Sequence, residues 1–217
     1  MVSASKKIAI VGGSGALGAG LAKRWAKKGH NIIIGSRDEQ KAAEAASRLN
    51  EEAGVANIFG LENKRASEEV EIIVLTVPFS NHMSTLNLIA PALEGKILVD
   101  VTVPLVPPKV RTVHIPEGGS CAKAAQEFLG KGVRVVSAFQ SVAATHLDDL
   151  GHDIDCDVLV CGNDPEARET VVQLAFDAGM KAWHAGVIAN SIVAEAMTSS
   201  LIFINNRYKI DGAGLRI

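Results

Sequence analysis

The sequence predicts an α/β fold built on a doubly wound, mainly parallel β-sheet, with a helical extension at the C-terminus. Short apolar runs of strand length alternate with longer helix-like runs from the start of the chain. This alternation is typical of βαβ units, in which each helix crosses back over a parallel sheet. The 217 residues are enough for one large domain with a well-buried core.

In the first half of the chain, apolar runs predict five strands, at residues 8–11, 31–34, 56–59, 72–77 and 97–101. The segments between them predict helices at residues 16–28, 38–52, 63–69 and 80–90. Gly29 is suited to end the first helix, and Asp38 is suited to cap the second. Strands and helices therefore follow one another in the order that a parallel sheet requires.

The second half continues the pattern, with strands predicted at residues 133–137, 157–161 and 181–184 and helices at 120–129, 142–147 and 165–177. Residues 103–116 contain four prolines, so we expect no regular structure there. An apolar helix is predicted at residues 187–205, with Glu195 as its single charged residue. Its polar residues argue against a membrane span, and we expect it to pack on the sheet and on a second copy of the chain.

Charge and cysteine content narrow the classes of function. The chain has 22 basic and 24 acidic residues, which gives no electrostatic reason to expect nucleic acid or an anionic membrane as a partner. The first residues lack the apolar core of a secretion signal. Cys121, Cys156 and Cys161 form no metal-binding pattern, so we predict reduced core thiols in a cytoplasmic protein.

A glycine-rich turn follows the first predicted strand. Residues 13–18 read Gly-Ser-Gly-Ala-Leu-Gly, a G-x-G-x-x-G pattern that opens the first predicted helix at Ala16. Its glycines, from Gly13 onward, allow a tight turn and let the backbone approach a pyrophosphate, which the N–H groups of the helix start attract. The context predicts a dinucleotide site in a Rossmann-type sheet. The alternative is a glycine-rich turn without a ligand.

The end of the second strand indicates which dinucleotide binds. An NAD site usually offers Asp or Glu to the ribose there, but this chain has Gly35-Ser36-Arg37. Arg37 can bind two phosphate oxygens, Ser36 can donate a further hydrogen bond, and Lys41 lies one helical turn beyond Arg37. These residues predict NADP, whose ribose carries a phosphate. The alternative is that Arg37 and Lys41 only form a solvated surface.

Few titratable side chains are expected at the carboxyl ends of the other strands, where a second ligand would bind. Segments 76–79, 100–104 and 137–141 offer mainly small, apolar and hydroxyl groups. Reduction of a carbonyl usually needs a Lys, His or Tyr as proton donor, and we expect the two nearby histidines, His82 and His146, to be structural. A flavin-like ring needs no such donor. We therefore predict no catalytic side chain and two rings held face to face.

Beyond these local patterns, the sequence resembles the F420-dependent NADP reductase family over nearly its whole length. The blocks that carry the resemblance are residues 11–18, 35–37, 74–78, 135–139, 157–162, 204–208 and 214–217, of which those from residue 135 onward are the most specific. Such enzymes move hydride between NADPH and the deazaflavin coenzyme F420. Archaeal members tend to have His at the position of Gln140 and Pro at that of Ala143, near the expected deazaflavin pocket.

The resemblance implies a set of cofactor contacts. For the pyrophosphate these are Ser14, Gly15, Ala16 and Leu17, and for the ribose phosphate Ser36, Arg37 and Lys41. The resemblance also places Val77, Val103, Ala144 and Ala213 in the cleft for nicotinamide and deazaflavin, where the strand-end residues Thr76 and Pro78 are expected as well. A homodimer formed through the C-terminal helices is also implied. We accordingly divide the chain into an NADP-binding domain, residues 1–185, and a helix and tail, residues 186–217, that complete the acceptor cleft and the dimer interface.

Two other functions stay open at this point. The first is an NADPH-dependent reductase of another conjugated acceptor, such as a flavin, a pterin or an imine. The second is a module that senses NADPH without chemistry, which would turn over no acceptor and would change its assembly on binding NADPH.

Overall fold

The computed structural model describes residues 4–217 and contains one eight-stranded sheet, in the order β3-β2-β1-β4-β5-β6-β7-β8. The strands are β1 Lys7–Val11, β2 Asn31–Ser36, β3 Ile58–Glu62, β4 Ile72–Leu75, β5 Ile97–Asp100, β6 Arg134–Ser137, β7 Val158–Gly162 and β8 Ala182–His184. The helices are α1 Ala16–Lys27, α2 Glu39–Ala53, α3 Asn63–Glu68, α4 His82–Ile89, α5 Cys121–Leu129, α6 Ala144–Asp148, α7 Pro165–Asp177 and α8 Ser191–Tyr208.

Strand direction confirms the predicted doubly wound, mainly parallel sheet. Among the described strands, β6 and β7 pair antiparallel and the other neighbours pair parallel. The chain runs outward from β1 through β2 to β3 and then returns to add β4 on the other side of β1. The strand order thus reverses between β1 and β4, and a crevice opens there beyond the carboxyl ends of the strands.

Each face of the sheet carries its own apolar core. Ile8 and Ile10 of β1 point to the core that contains Trp25, whereas Ala9 and Val11 point to the opposite one. Trp25 lies fully buried on α1, and its Nε1–H donates to the carbonyl oxygen of Leu174, 2.7 Å away on α7. Helices therefore cover both faces, which leaves the edge at the carboxyl ends of the strands for ligands.

Local side-chain bonds move some boundaries away from the prediction. The third strand, predicted at 56–59, begins at Ile58 because Asn50 holds that residue with two side-chain hydrogen bonds, of 2.8 and 3.1 Å. Asn57, just before it, donates to the carbonyl oxygens of Ala26 and His30 and stays outside the strand. The strand consequently ends at Glu62, three residues later than predicted, which brings Asn63 to the ligand edge.

The structure also tests the smaller predictions. Asp38 caps α2, and residues 103–116 contain no helix or strand. All three cysteines are free and buried, and burial raises the pKa of each thiol. Cys156 lies just before β7, and His184 ends β8, where the predicted strand 181–184 also ends.

The C-terminal helix α8 is buried along one stripe only, formed by Ser191, Ala194, Glu195 and Ser199. Val193 and Phe203 on other faces are more than half exposed, at 57% and 51%. By length and composition alone, one segment within residues 4–217, Ile188–Tyr208, could cross a membrane, and 28% of its most apolar stretch is buried. The expectation that the chain does not enter a membrane therefore stays a prediction.

Candidate functional site

A cavity of about 920 Å³ lies beyond the carboxyl ends of β1, β2, β4 and β5. One end lies at the glycine-rich turn, a second at the end of β2, and the third between β4, β5 and the proline-rich segment after β5. This is the crevice at which the strand order reverses, where open α/β sheets bind their ligands.

The glycine-rich turn closes tightly before α1. Gly12 has a φ of +76°, and the N–H groups of Gly13 and Gly15 bond to carbonyl oxygens of Ile10 and Gly12, each at 3.1 Å. A Cβ on Gly18 would lie 2.8 Å from the Cα of Gly13 and equally close to Oγ1 of Thr76. The missing side chains therefore let α1 begin directly against β1 and β4.

Within residues 4–217, no side chain caps the start of α1. Gly15 occupies the N-cap position and provides no side-chain hydrogen bond. Ser14, Gly15, Ala16 and Leu17 line the cavity, as predicted, while Gly13 is buried beneath them. The unbonded N–H groups and the dipole of a 12-residue helix consequently favour an anion at this end of the cavity.

The second end of the cavity holds Ser36 and Arg37. Arg37 is exposed, whereas Asp38 points its carboxylate at the N–H groups of Gln40 and Lys41, at 3.0 and 3.2 Å. The one acidic neighbour of Arg37 is thus occupied in capping α2 and does not neutralise the guanidinium. Lys41 is exposed and lies outside the cavity walls, so its predicted contact with the ribose phosphate stays a prediction.

Asn63 is a cavity residue that the sequence analysis missed. It is 4% exposed, and its Oδ1 has no hydrogen-bond partner among the described residues. This oxygen lies 2.8 Å from the position that a Cβ on Gly35 would take, so Gly35 leaves the space that Asn63 fills beside Ser36. Had the prediction extended the third strand to Glu62, Asn63 would have been assigned to the ligand edge.

The third end of the cavity is mostly apolar. Thr76, Val77, Pro78 and Val103 line it, as the sequence analysis expects. Phe79 and Thr102, which belong to the strand-end segments of the prediction, line it as well. The analysis missed Ser80, Asn81 and Thr85 and the loop residues Leu105, Val106, Pro107 and Val110, which also line the cavity. Thr102 is 3% exposed, and its Oγ1 finds no partner within residues 4–217.

Two of the expected cleft residues lie elsewhere. Ala144 is the first residue of α6, and Ala213 belongs to the C-terminal tail, where its N–H donates to Oδ1 of Asn205 at 2.8 Å. Neither lines the cavity of this single chain. Their contact with a second ligand therefore remains a prediction.

A buried polar cluster stands behind the apolar wall. Nε2 of His82 lies 2.6 Å from Oδ2 of Asp100, and Oδ1 of Asp100 accepts the N–H of Thr102 at 3.0 Å. Burial works against the charged His82, but its bond to Asp100 and the attraction of that carboxylate together raise the pKa of His82. The pair fixes the backbone that carries Thr102 and does not itself reach the cavity.

Among the cavity-lining residues of the described chain, Arg37 is the only one with an ionisable side chain. The predicted nearby histidines do not line it: His82 is buried, and the ring of His146 packs on that of His152 with centroids 4.2 Å apart. The cavity can therefore bind an extended anionic ligand and orient a ring against a mostly apolar wall, where the described lining residues include no ionisable side chain.

Comparison with known proteins agrees with this geometry. A family model described as coenzyme F420-dependent NADP oxidoreductase matches residues 7–104. The F420-dependent NADP reductase of Methanocaldococcus jannaschii is 44% identical over 97% of both chains. The chain belongs to the F420-dependent NADP reductase family. A reductase with the same description from Methanothermobacter marburgensis is 38% identical, again over 97% of both chains.

A solved structure shows the same fold as this family member. It comes from an Arthrobacter species, is described as a proposed F420-dependent NADP reductase, and superposes with a TM-score of 0.81 at 24% identity. The match covers 98% of this chain and 99% of the other. The resemblance inferred from the sequence blocks is thus confirmed, as is the Rossmann-type fold.

Gln140 is a buried residue that connects two strands with α8. Its Nε2 donates to the carbonyl oxygen of Asp100 and to Oγ of Ser137, both at 2.9 Å. The backbone carbonyl oxygen of Gln140 accepts a hydrogen bond from the hydroxyl of Thr198 on α8, also at 2.9 Å. The side-chain amide therefore links β5 and β6, and the backbone at the same position bonds to α8.

Proposed function

We propose that this protein transfers a hydride between NADP(H) and coenzyme F420. The observation that carries the proposal is one continuous cavity with a glycine-rich turn and a guanidinium at one side and, at the other, a mostly apolar wall whose described residues include no ionisable side chain. A deazaflavin ring accepts hydride without help from an enzymatic acid, so a wall of this kind is sufficient for it. Membership of the family supports the same acceptor.

The residues present suit NADP. We propose that Ser14, Gly15, Ala16 and Leu17 hold the pyrophosphate, since their backbone is open and α1 is uncapped. We propose that Ser36 and Arg37 hold the ribose phosphate, with Lys41 approaching from the surface. The unpartnered Oδ1 of Asn63 beside them is a buried polar atom that a bound ribose hydroxyl would satisfy.

The protein contributes to the reaction by positioning the two reacting rings. Bound NADPH supplies the hydride, and Val77, Pro78 and Val103 offer an apolar surface against which its ring can lie. We propose that Thr76 supports this surface, because its hydroxyl donates to the carbonyl oxygen of Val11 at 3.0 Å. We place Ala144 and Ala213 on the acceptor side of the same cleft. Holding two rings together in a dry site replaces the need for a catalytic side chain.

The test is anaerobic spectroscopy with a panel of acceptors. The protein is mixed with NADPH and, in separate samples, oxidised F420, a flavin, a pterin or a cyclic imine. We expect loss of the deazaflavin absorbance with F420 and a much slower change with NADH. Turnover of only a flavin, pterin or imine would favour the second function. No turnover with any acceptor, together with a change of assembly on adding NADPH, would favour a sensor.

We also propose a cytoplasmic homodimer in which α8 and the tail, residues 186–217, complete the acceptor cleft of the dinucleotide domain, residues 1–185. Val193 and Phe203 supply exposed apolar surface on α8, which pairing with a second α8 would cover. Val193→Glu should shift the sedimentation coefficient toward the monomer. Phe176→Glu is the matched control, since Phe176 is similarly exposed, at 48%, but lies on α7. A wild-type monomer at all concentrations would contradict the dimer.

A further inference from the structure

The proline-rich loop, residues 103–116, carries positive charge next to the cavity. Leu105, Val106, Pro107 and Val110 of this loop form part of the cavity wall. Lys109 and Arg111 flank Val110, and no carboxylate occurs between Val101 and Pro116. The loop therefore presents cations at the open side of the cavity without acidic residues of its own to neutralise them.

A smaller hollow of about 210 Å³ adjoins the main cavity through the loop. Val106 and Pro107 line both spaces, so the two spaces are adjacent at these residues. Lys109, Thr112 and His114 also line it, and none of its lining residues is acidic. An ammonium, a hydroxyl and an imidazole are donors that suit a phosphodiester or a carboxylate.

Hydrogen bonds within the loop and contacts with neighbouring elements fix the residues that line this hollow. Within the loop, the N–H of Lys109 donates to Val106 at 3.0 Å, and that of Thr112 donates to Lys109 at 2.9 Å. The ring of His114 packs against that of Phe79, a wall residue of the main cavity, with centroids 5.9 Å apart. Arg111 donates to Oδ1 of Asn206 at 2.8 Å, which fastens the loop to the end of α8.

Lys109 is free to bind an anion. Within residues 4–217, the ion pairs formed by lysine join Lys7, Lys23, Lys64 and Lys123 to carboxylates, and Lys109 is in none of them. Its side chain is exposed, so its charge is available at the entrance of the hollow.

We propose that this hollow binds the anionic side chain of the deazaflavin acceptor, with Lys109 as the main charge and Thr112 and His114 as further donors. The inference rests on the proposed function and assigns a site to the part of F420 that does not react. F420 carries its ring on a chain with a phosphodiester and carboxylates. A ring placed against Val103 would direct that chain over Val106 and Pro107 into the hollow.

The test compares F420 with the same deazaflavin lacking the phosphodiester and carboxylates. Binding of both to the full-length protein is followed by their fluorescence, without turnover. We expect F420 to bind more tightly, and Lys109→Gln to weaken F420 binding about three- to tenfold while leaving the tailless deazaflavin unchanged. Lys109→Arg should restore most of the affinity. Added salt should weaken binding of F420 more than binding of the tailless compound.

Lys131→Gln is the matched control. Lys131 is exposed in the turn before β6, at the opposite edge of the sheet. Equal affinity of the wild type for the two deazaflavins would overturn the proposed subsite, as would equal losses for both compounds in Lys109→Gln. Failure of the proposed function would look different, because the wild type would then reduce neither compound with NADPH.

Discussion

The carboxylate of Glu195 on α8 accepts the backbone N–H of Cys121 on α5, with an oxygen–nitrogen distance of 2.6 Å. Its second oxygen accepts the N–H of Ala122 at 3.1 Å. The carboxylate thus provides acceptors for two of the N–H groups that the start of α5 leaves without a helical partner, and so it joins α8 to the sheet domain. Burial nevertheless raises the pKa of Glu195 to about 7, against the lowering effect of the two backbone bonds.

Glu195→Gln should change how stability depends on pH. Since the folded pKa, about 7, lies above the ordinary 4.5, the native state holds this proton more tightly than the unfolded state. The stabilising contribution is present below the ordinary pKa and is lost as the pH rises through about 7. In urea titrations from about pH 5 to pH 8, the variant should lose less stability than the wild type. Equal dependence of the free energy of unfolding on pH in the two proteins would contradict this prediction. Glu71→Gln, at an exposed site, is the control.

Arg37→Ala should weaken binding of NADPH by about 1–3 kcal/mol and should leave binding of NADH nearly unchanged, because only NADPH carries the ribose phosphate. Calorimetric titration of both coenzymes measures the difference. Lys41→Ala should have a smaller effect, since Lys41 lies outside the cavity walls. If Arg37→Ala weakened both coenzymes equally, there would be no case for a ribose-phosphate site.

Gly18→Ala and Gly15→Ala should differ in stability although both glycines belong to the same glycine-rich segment, Gly15 at the N-cap of α1 and Gly18 in its first turn. A Cβ on Gly18 would lie 2.8 Å from Gly13 Cα, whereas one on Gly15 would have its nearest neighbour at 3.5 Å. Because the added methyl group at Gly18 would overpack this contact, Gly18→Ala should lower the free energy of unfolding by about 1–3 kcal/mol. Gly15→Ala should stay within about 0.5 kcal/mol of the wild type. Thermal unfolding distinguishes the two, and similar losses would argue against the close contact of α1 with the strands.

Arg24→Met should loosen the segment around α6. The Arg24 guanidinium donates to five carbonyl oxygens, at 2.7–3.2 Å, which belong to Leu147, Ala178, His146, Asp149 and His152. Removing the guanidinium should lower the free energy of unfolding by about 2–3 kcal/mol, because the carbonyl groups lose a charged donor. Hydrogen exchange should accelerate at residues 144–152. Arg48→Met removes only an exposed ion pair with Glu52, so it should change neither the free energy of unfolding nor the exchange at these residues. Unchanged exchange at residues 144–152 would contradict the role given to Arg24.

The sequence was informative where structure depends on neighbours along the chain. The apolar run of β1, the glycine spacing before α1 and the cap at Asp38 are local features, and all three occur as predicted. The anion-binding turn and the exposed Arg37 were therefore accessible from the sequence.

Long-range contacts account for what could not be predicted. The position of Asn63 depends on where β3 begins, and side chains of Asn50 and Asn57 decide that. The path of the proline-rich loop depends on Arg111 meeting Asn206, which lies 95 residues away. Glu195 was visible only as a lone charge, since its partners lie on α5, more than 70 residues earlier.

Direct transfer of a hydride from NADPH to F420 is the central claim, and a single-turnover experiment with deuterated NADPH tests it. NADPH that carries deuterium at its transferable ring position is mixed with oxidised F420 and the protein without oxygen. We predict that mass spectrometry finds the deuterium on carbon 5 of the reduced deazaflavin, with a slower transfer than for hydrogen. Reduced F420 without deuterium, or no reduction of F420 at all, would contradict the account.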